Sequence, residues 1–107
     1  MPERLNTFTE PSEAVQGPES WVKFRRLPYA MIQAARRLIE SGQITAAEDE
    51  RQTRAIIQQA VAAWNWVDDE GAPLPQPATD PQVIDRLNGP EVDWLMAHAS
   101  GQAQAKN

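Results

Sequence analysis

PYAMIQAARRLIESGQITAAEDERQTRAIIQQAVAAW, residues 28–64, is the stretch on which the fold turns. Pro28 suits the first position of a helix, where its missing N–H costs nothing. Met31, Ile32, Ala35, Leu38 and Ile39 then recur at helical spacing, and Gly42 is a natural left-handed stop. The spacing predicts a helix over Pro28–Ser41. Arg36 and Arg37 lie off its apolar stripe and near its negative pole, where cations are favoured. Thr45-Ala46-Ala47-Glu48 has the spacing of a capping box, in which hydroxyl and carboxylate each satisfy an orphan N–H. Thr53, Ile56, Ile57, Ala60, Val61 and Trp64 form a second stripe. They predict a helix from Ala46 to about Trp64, ending near Asn65 or Trp66 before Asp68, Asp69 and Glu70 crowd its negative end. A linker of about three residues makes the two helices antiparallel neighbours. Their stripes are expected to face each other, burying about eight large side chains at ~2 kcal/mol each before entropy is subtracted.

Downstream, Asp68-Asp69-Glu70-Gly71 reads as a turn with Gly71 at positive φ, and Pro73-Leu74-Pro75-Gln76-Pro77 as an extended spacer. Thr79 or Asp80 caps a short third helix with Pro81 at its start and Val83, Ile84 and Leu87 on its buried face. Pro90 opens a fourth helix carrying Val92, Leu95, Met96 and Ala99 and ended by Ser100-Gly101. Residues 102–107 read as a disordered tail. Upstream, Val22 and Phe24 alternate with Lys23 and Arg25, which predicts a short strand or extended edge within Trp21–Leu27. Residues 1–20, rich in Pro, Ser, Thr and Glu, read as a flexible arm with an extended piece at Leu5–Thr9, the one nearby strand partner. The expected fold class is therefore mainly α: an antiparallel helical hairpin plus two short C-terminal helices, with a minor N-terminal β element. Residues 21–101 form the single helical domain.

The 107 residues contain no cysteine, which rules out disulfides, thiol nucleophiles and cysteine-based zinc sites. One histidine and one tyrosine leave little for a catalytic constellation. No apolar run is long enough to span a bilayer, and the first ten residues carry no export pattern. The net charge of −5 is uneven, with Lys23, Arg25, Arg26, Arg36 and Arg37 facing no acid within residues 21–37. A nucleic-acid surface prefers a concentrated patch on a basic domain. Pairing with acids of the C-terminal half is the simpler reading of these cations. Placing Gly71 at the glycine of a calcium loop would put Trp66 first and Pro77 last among the ligands, and neither can ligate. No phosphate-cradling glycine pattern is present. No catalytic residue, cofactor site or metal site is expected, and His98 reads as a structural residue near a helix end. Of the four tryptophans, Trp64 sits on a stripe and belongs to the core. Trp21, Trp66 and Trp94, with Leu74, are the candidate partner-binding residues, since aromatics dominate binding hot spots. Each competes with a core or lid role.

Val61 to Pro75 reads VAAWNWVDDEGAPLP. A helix ending in an apolar–Trp–Asn segment, then an acidic Gly turn and a Pro-Leu-Pro element, resembles the tail assembly chaperones of tailed bacteriophages and related small tail-gene proteins. The positions are Trp64, Asn65, Asp68, Asp69, Gly71, Pro73, Leu74 and Pro75, and the likeness extends over roughly residues 21–99. It implies a non-enzymatic role in the host cytoplasm, holding tape-measure or tail-tube protein during assembly, with no catalytic residue to carry over. A structural virion component, such as a head–tail connector or capsid-associated subunit able to contact itself, is the alternative. A small nucleic-acid-binding regulator using the five cations is a further one.

Overall fold

The computed structural model describes residues 6–99. In chain order it contains β1 (Thr7–Pro11), α1 (Glu13–Gln16), β2 (Trp21–Arg25), α2 (Tyr29–Glu40), α3 (Ala46–Ala60) and β3 (Val61–Trp64). A 3-10 helix (Pro81–Arg86) and α4 (Gly89–Ala99) follow. Leu5, the cap at Ser100-Gly101 and the tail at 102–107 lie outside the described residues.

Val22 and Phe24 organise the packing. Both are fully buried and share one face of β2, which lies at the centre of a three-stranded antiparallel sheet in the order β1-β2-β3. Phe8 pairs with Phe24 and Glu10 with Val22 across β1–β2, while Val22 faces Trp64 across β2–β3. A bulge at Lys23/Phe24 re-registers the second ladder, so that Phe24 opposes Val61. α3 packs against β2, β3, α4 and the 3-10 helix. The core gathers Ile57, Val61, Trp66, Val83 and Leu95 around Phe24.

The domain is thus mixed α/β rather than mainly α, and three residues explain the correction. Val22 and Phe24 leave β2 with two ladders to fill, and a two-stranded ribbon is marginal. Val61, at the end of the α3 stripe, is β-branched and enters a ladder readily. The α3 helix therefore stops at Ala60, and the chain passes without a loop into β3. An apolar run as short as Val61–Trp64 fits helical and extended periods equally, so spacing alone could not separate them.

The facing stripes of the expected hairpin are corrected as well. The capping box at Thr45 is present, with the Glu48 N–H donating to Thr45 Oγ1 at 3.1 Å and the Thr45 N–H to Glu48 Oε1 at 3.2 Å. α3 buries Ile56, Ile57 and Ala60, but no residue of α2 is buried. The face of α3 that was to meet α2 is used by the sheet and α4 instead.

The segment read as an arm holds the first strand and a helical turn. Ser12 and Ser20 close the β1–β2 connection, with the Ser12 N–H donating to the Ser20 carbonyl at 3.0 Å. Ser12 Oγ donates to Ser20 Oγ at 2.7 Å, and Ser20 Oγ to the Gly17 carbonyl at 2.7 Å. Gly17, at φ 92°, lets the chain turn back there. Beyond β3, the Leu74 N–H donates to the Trp66 carbonyl at 2.9 Å and Val67 bridges to Pro73, so the proline segment runs back along the core. At α4, Asn88 and Glu91 cap each other, the Glu91 N–H donating to Asn88 Oδ1 and the Asn88 N–H to Glu91 Oε1, both at 2.9 Å.

Candidate functional site

α2 hangs between two chain reversals. Pro28 starts it at φ −59°, and Gly42, at φ +69°, ends it. The stripe of Met31, Ile32, Ala35 and Ile39 does not meet α3 edge to edge. It forms one wall of an open groove of about 570 Å³. Ile56 of α3 and Met96 and Ala97 of α4 line the other side, and Leu27 contributes where β2 leads into α2. Arg36 and Glu40 stand on the α2 lip, with Asp93 on the α4 lip. Ile39 keeps 65% of its surface exposed and Tyr29 keeps 74%. Covering one large apolar side chain is worth roughly 1.5–3 kcal/mol. Met31 and Ala35 rest partly on the core, Ile32 is half-buried and Ile39 is exposed, so a partner that covers the rest of this half-open stripe has free energy to gain.

The chemistry of the lining is specific. The sequence has three methionines, and the two beyond Met1 are Met31 and Met96, on opposite walls. Methionine is flexible and polarizable, and it suits surfaces that accommodate more than one apolar shape.

The four aromatic and aliphatic candidates are placed very differently. Trp66 is 1% exposed and Leu74 4%, so neither offers a surface in this conformation. Trp66 stacks on Trp64 at 4.7 Å between centroids, and its Nε1–H donates to Ser12 Oγ at 2.9 Å. Trp94 is half-buried against Phe24, Trp66 and His98. Trp21 is the most exposed of the four, at 36%. The α2–α4 groove was missed as a site because its stripe was assigned to the hairpin. The signal that could have found it is that Ile39 and Tyr29 add apolar width to a helix joined by short links on both sides.

The five cations do not form one patch. Lys23 and Arg25 alternate with the buried residues of β2 and so lie on the outer sheet face. Arg25 Nη1 donates to the Gln59 carbonyl at 2.9 Å, and the Arg26 guanidinium sits 4.7 Å from the Phe8 ring centroid. Arg36 and Arg37 are exposed on α2. The expected pairing with C-terminal acids does not form at Lys23, Arg25, Arg36 or Arg37, none of which makes an ion pair among the described residues. The acids are engaged elsewhere: Asp85 and Glu50 meet Arg54, and Asp68 meets Arg86.

Asp68 builds its turn. Its Oδ1 accepts from the N–H groups of Ala72 and Glu70, both at 2.9 Å. Those two bonds, with Arg86 nearby, hold its carboxyl below the usual aspartate value. Gly71 completes the turn at φ 82°. No group of three or more metal-ligating side chains occurs among the described residues, and no described helix is long and apolar enough to cross a membrane. His98 stacks on Trp94 at 4.0 Å between centroids. Its Nδ1 is buried without a hydrogen bond, 3.9 Å from Glu10 Oε2. Burial pushes its pKa down, against the opposing pull of Glu10. No protein-family model, curated protein or solved structure matches the chain.

Proposed function

We propose that this chain is a non-enzymatic assembly protein that seats an amphipathic helix of a partner in the groove between α2 and α4. The observation that carries this reading is the half-buried stripe of α2, with Ile39 exposed, along an apolar groove that has a methionine on each wall. Recognition of a helix in a groove requires apolar anchors at i, i+3/i+4 and i+7 on the incoming helix. The lips add direction, since the α2 lip carries both signs, Arg36 and Glu40, while Asp93 favours a base on the partner's α4 side. The resemblance to phage tail assembly chaperones supplies the partner class, namely tape-measure or tail-tube protein held in the host cytoplasm before polymerisation. A long helical tape-measure chain offers repeated apolar stripes, and an adaptable methionine-bearing groove suits such a client.

The test is co-expression with the tape-measure protein of the same gene cluster, and separately with its tail-tube protein. The proposal expects one of them to co-purify with the wild-type chain in a defined ratio and to be lost with Ile39→Asp, a substitution at an exposed groove residue. Recovery of neither, or equal recovery with Ile39→Asp, overturns it. Finding the chain at fixed stoichiometry in purified particles instead favours the structural virion component.

A further inference from the structure

The sheet has two outer edges, and the structure treats them differently. On β3, the Trp64 N–H and carbonyl point away from β2 and are both taken by the Gln76 side-chain amide. On β1, the register sets the phase. The Asn6 carbonyl accepts from the Arg26 N–H at 2.7 Å and the Ser12 N–H donates to the Ser20 carbonyl at 3.0 Å. Even-numbered residues of β1 therefore turn their main-chain groups toward β2, and Thr7 and Thr9 turn theirs outward. Pro11 obeys the same phase, because its missing N–H falls on the outward side. Among the described residues, no hydrogen bond takes the outward main-chain groups of Thr7 or Thr9.

The outer face beside this open edge is cationic within an acidic protein. Thr9, Lys23 and Ala63 lie opposite one another across the three strands, with Arg25 further along β2. No carboxylate occupies an outward position on any of the strands, since Glu10 takes the inward phase of β1. Lys23 makes no ion pair among the described residues.

We infer that the β1 edge takes an extended acidic segment of a partner protein as a fourth strand, with its carboxylates directed toward Lys23. Strand addition uses main-chain bonds for affinity and alternate side chains for specificity. A strand spacing of ~4.8 Å puts the added strand about 10 Å from β2, a gap that Lys23 reaching toward a glutamate can close. The charge complementarity selects an acidic partner. The free edge selects an extended peptide over a nucleic acid, which cannot satisfy the outward N–H and carbonyl groups of Thr7 and Thr9 in ladder geometry. Only Trp21 adds an exposed ring to this side, and the chain's net charge of −5 opposes a polyanion at long range. The surface shares no residue with the groove, so it stands or falls separately from the helix-binding proposal.

The test uses the full chain and a fluorescent peptide of alternating Glu and Val, with a Lys/Val peptide and single-stranded oligothymidylate as comparisons. Thr9→Pro removes the outward N–H at a position where an edge strand tolerates proline, and Lys23→Glu reverses the facing charge. The inference expects saturable anisotropy with the Glu/Val peptide, weakened about tenfold or more by each variant and by raised salt. It also expects unchanged circular dichroism in both variants and no binding of the Lys/Val peptide. If Thr9→Pro unfolds the chain, Lys23→Glu carries the same test. No binding of the Glu/Val peptide, binding indifferent to Lys23→Glu or to a folded Thr9→Pro variant, or oligothymidylate binding as tight as the peptide overturns it.

Discussion

The side-chain amide of Gln76 closes over the main chain of Trp64, accepting from its N–H at 2.8 Å and donating to its carbonyl at 3.1 Å. Twelve residues downstream, a single side chain thus takes the place of a neighbouring strand. Gln76→Ala leaves both groups part-buried and unpaired, which costs roughly 1–3 kcal/mol. It also opens an edge for edge-to-edge pairing. A urea titration is expected to show the loss of stability, and light scattering a concentration-dependent association stronger than that of the wild type. An unchanged urea midpoint would show that water replaces the amide at no cost.

Trp66 and Ser12 lie 54 residues apart and share one buried hydrogen bond. Ser12→Ala strands the indole N–H and also removes the hydroxyl that donates to Ser20, which keeps its own bond to the Gly17 carbonyl. Trp66→Phe removes the donor and leaves Ser12 bonded to Ser20. Ser12→Ala is therefore expected to lose stability by about 1–3 kcal/mol through the unpaired buried donor. The double variant should lose less than the sum of the two single ones, by roughly 0.5 kcal/mol or more. Additive losses in a denaturation cycle would show that the bond contributes nothing beyond packing.

Much of the local structure was legible in the sequence because it depends on near neighbours. The Thr45–Glu48 box, the Gly42 and Gly71 turns, Pro81 at the start of a short helix and the alternation in Trp21–Arg25 each follow from a few adjacent residues. What was not legible depends on distant pairing. Whether Val61 continues a helix or starts a strand is decided by Phe24, which lies opposite it across the β2–β3 ladder. Once β3 forms, α3 commits its buried face to the sheet, and the stripe of α2 loses the partner that spacing had assigned to it. The candidate site was hidden for the same reason, since Ile39 reads as core until it is seen exposed while Ile57 fills the core. Trp66 and Leu74 were misleading in the opposite sense. Their place beside an acidic turn and prolines suggests a surface, but Ser12 supplies the acceptor that lets Trp66 be buried.

Ile39 and Ile57 provide the contrast that tests the groove. Ile57 is fully buried, and Ile57→Ala is expected to cost about 2–5 kcal/mol. Ile39 is mostly exposed on the groove lip, so Ile39→Asp is expected to leave thermal stability within about 0.5 kcal/mol of the wild type. The same substitution places a charge in the partner's path and is expected to abolish co-purification of the helical partner. A marked loss of stability in Ile39→Asp would instead identify α2 as an intramolecular packing element.

His98 is the one histidine of the chain, so its titration can be isolated. Burial against Trp94 lowers its pKa below the ordinary 6.5, and Glu10 only partly offsets this. The folded state therefore prefers the neutral ring, and below pH 6.5 the unfolded chain binds the proton first. Stability is expected to be level just above pH 6.5 and to fall as pH drops through the window between 6.5 and the folded value. Asp68 and Asp85, both lowered from 3.8, add their own loss only in more acidic solution. Urea midpoints measured from pH 7.5 to 5 should show the slope in the wild type and its absence in His98→Gln. Proton NMR of the ring should titrate below 6.5, and lower still in Glu10→Gln, which removes the opposing carboxylate. A ring midpoint above 6.5 would mean that Glu10 outweighs burial, and stability would then rise as the pH falls.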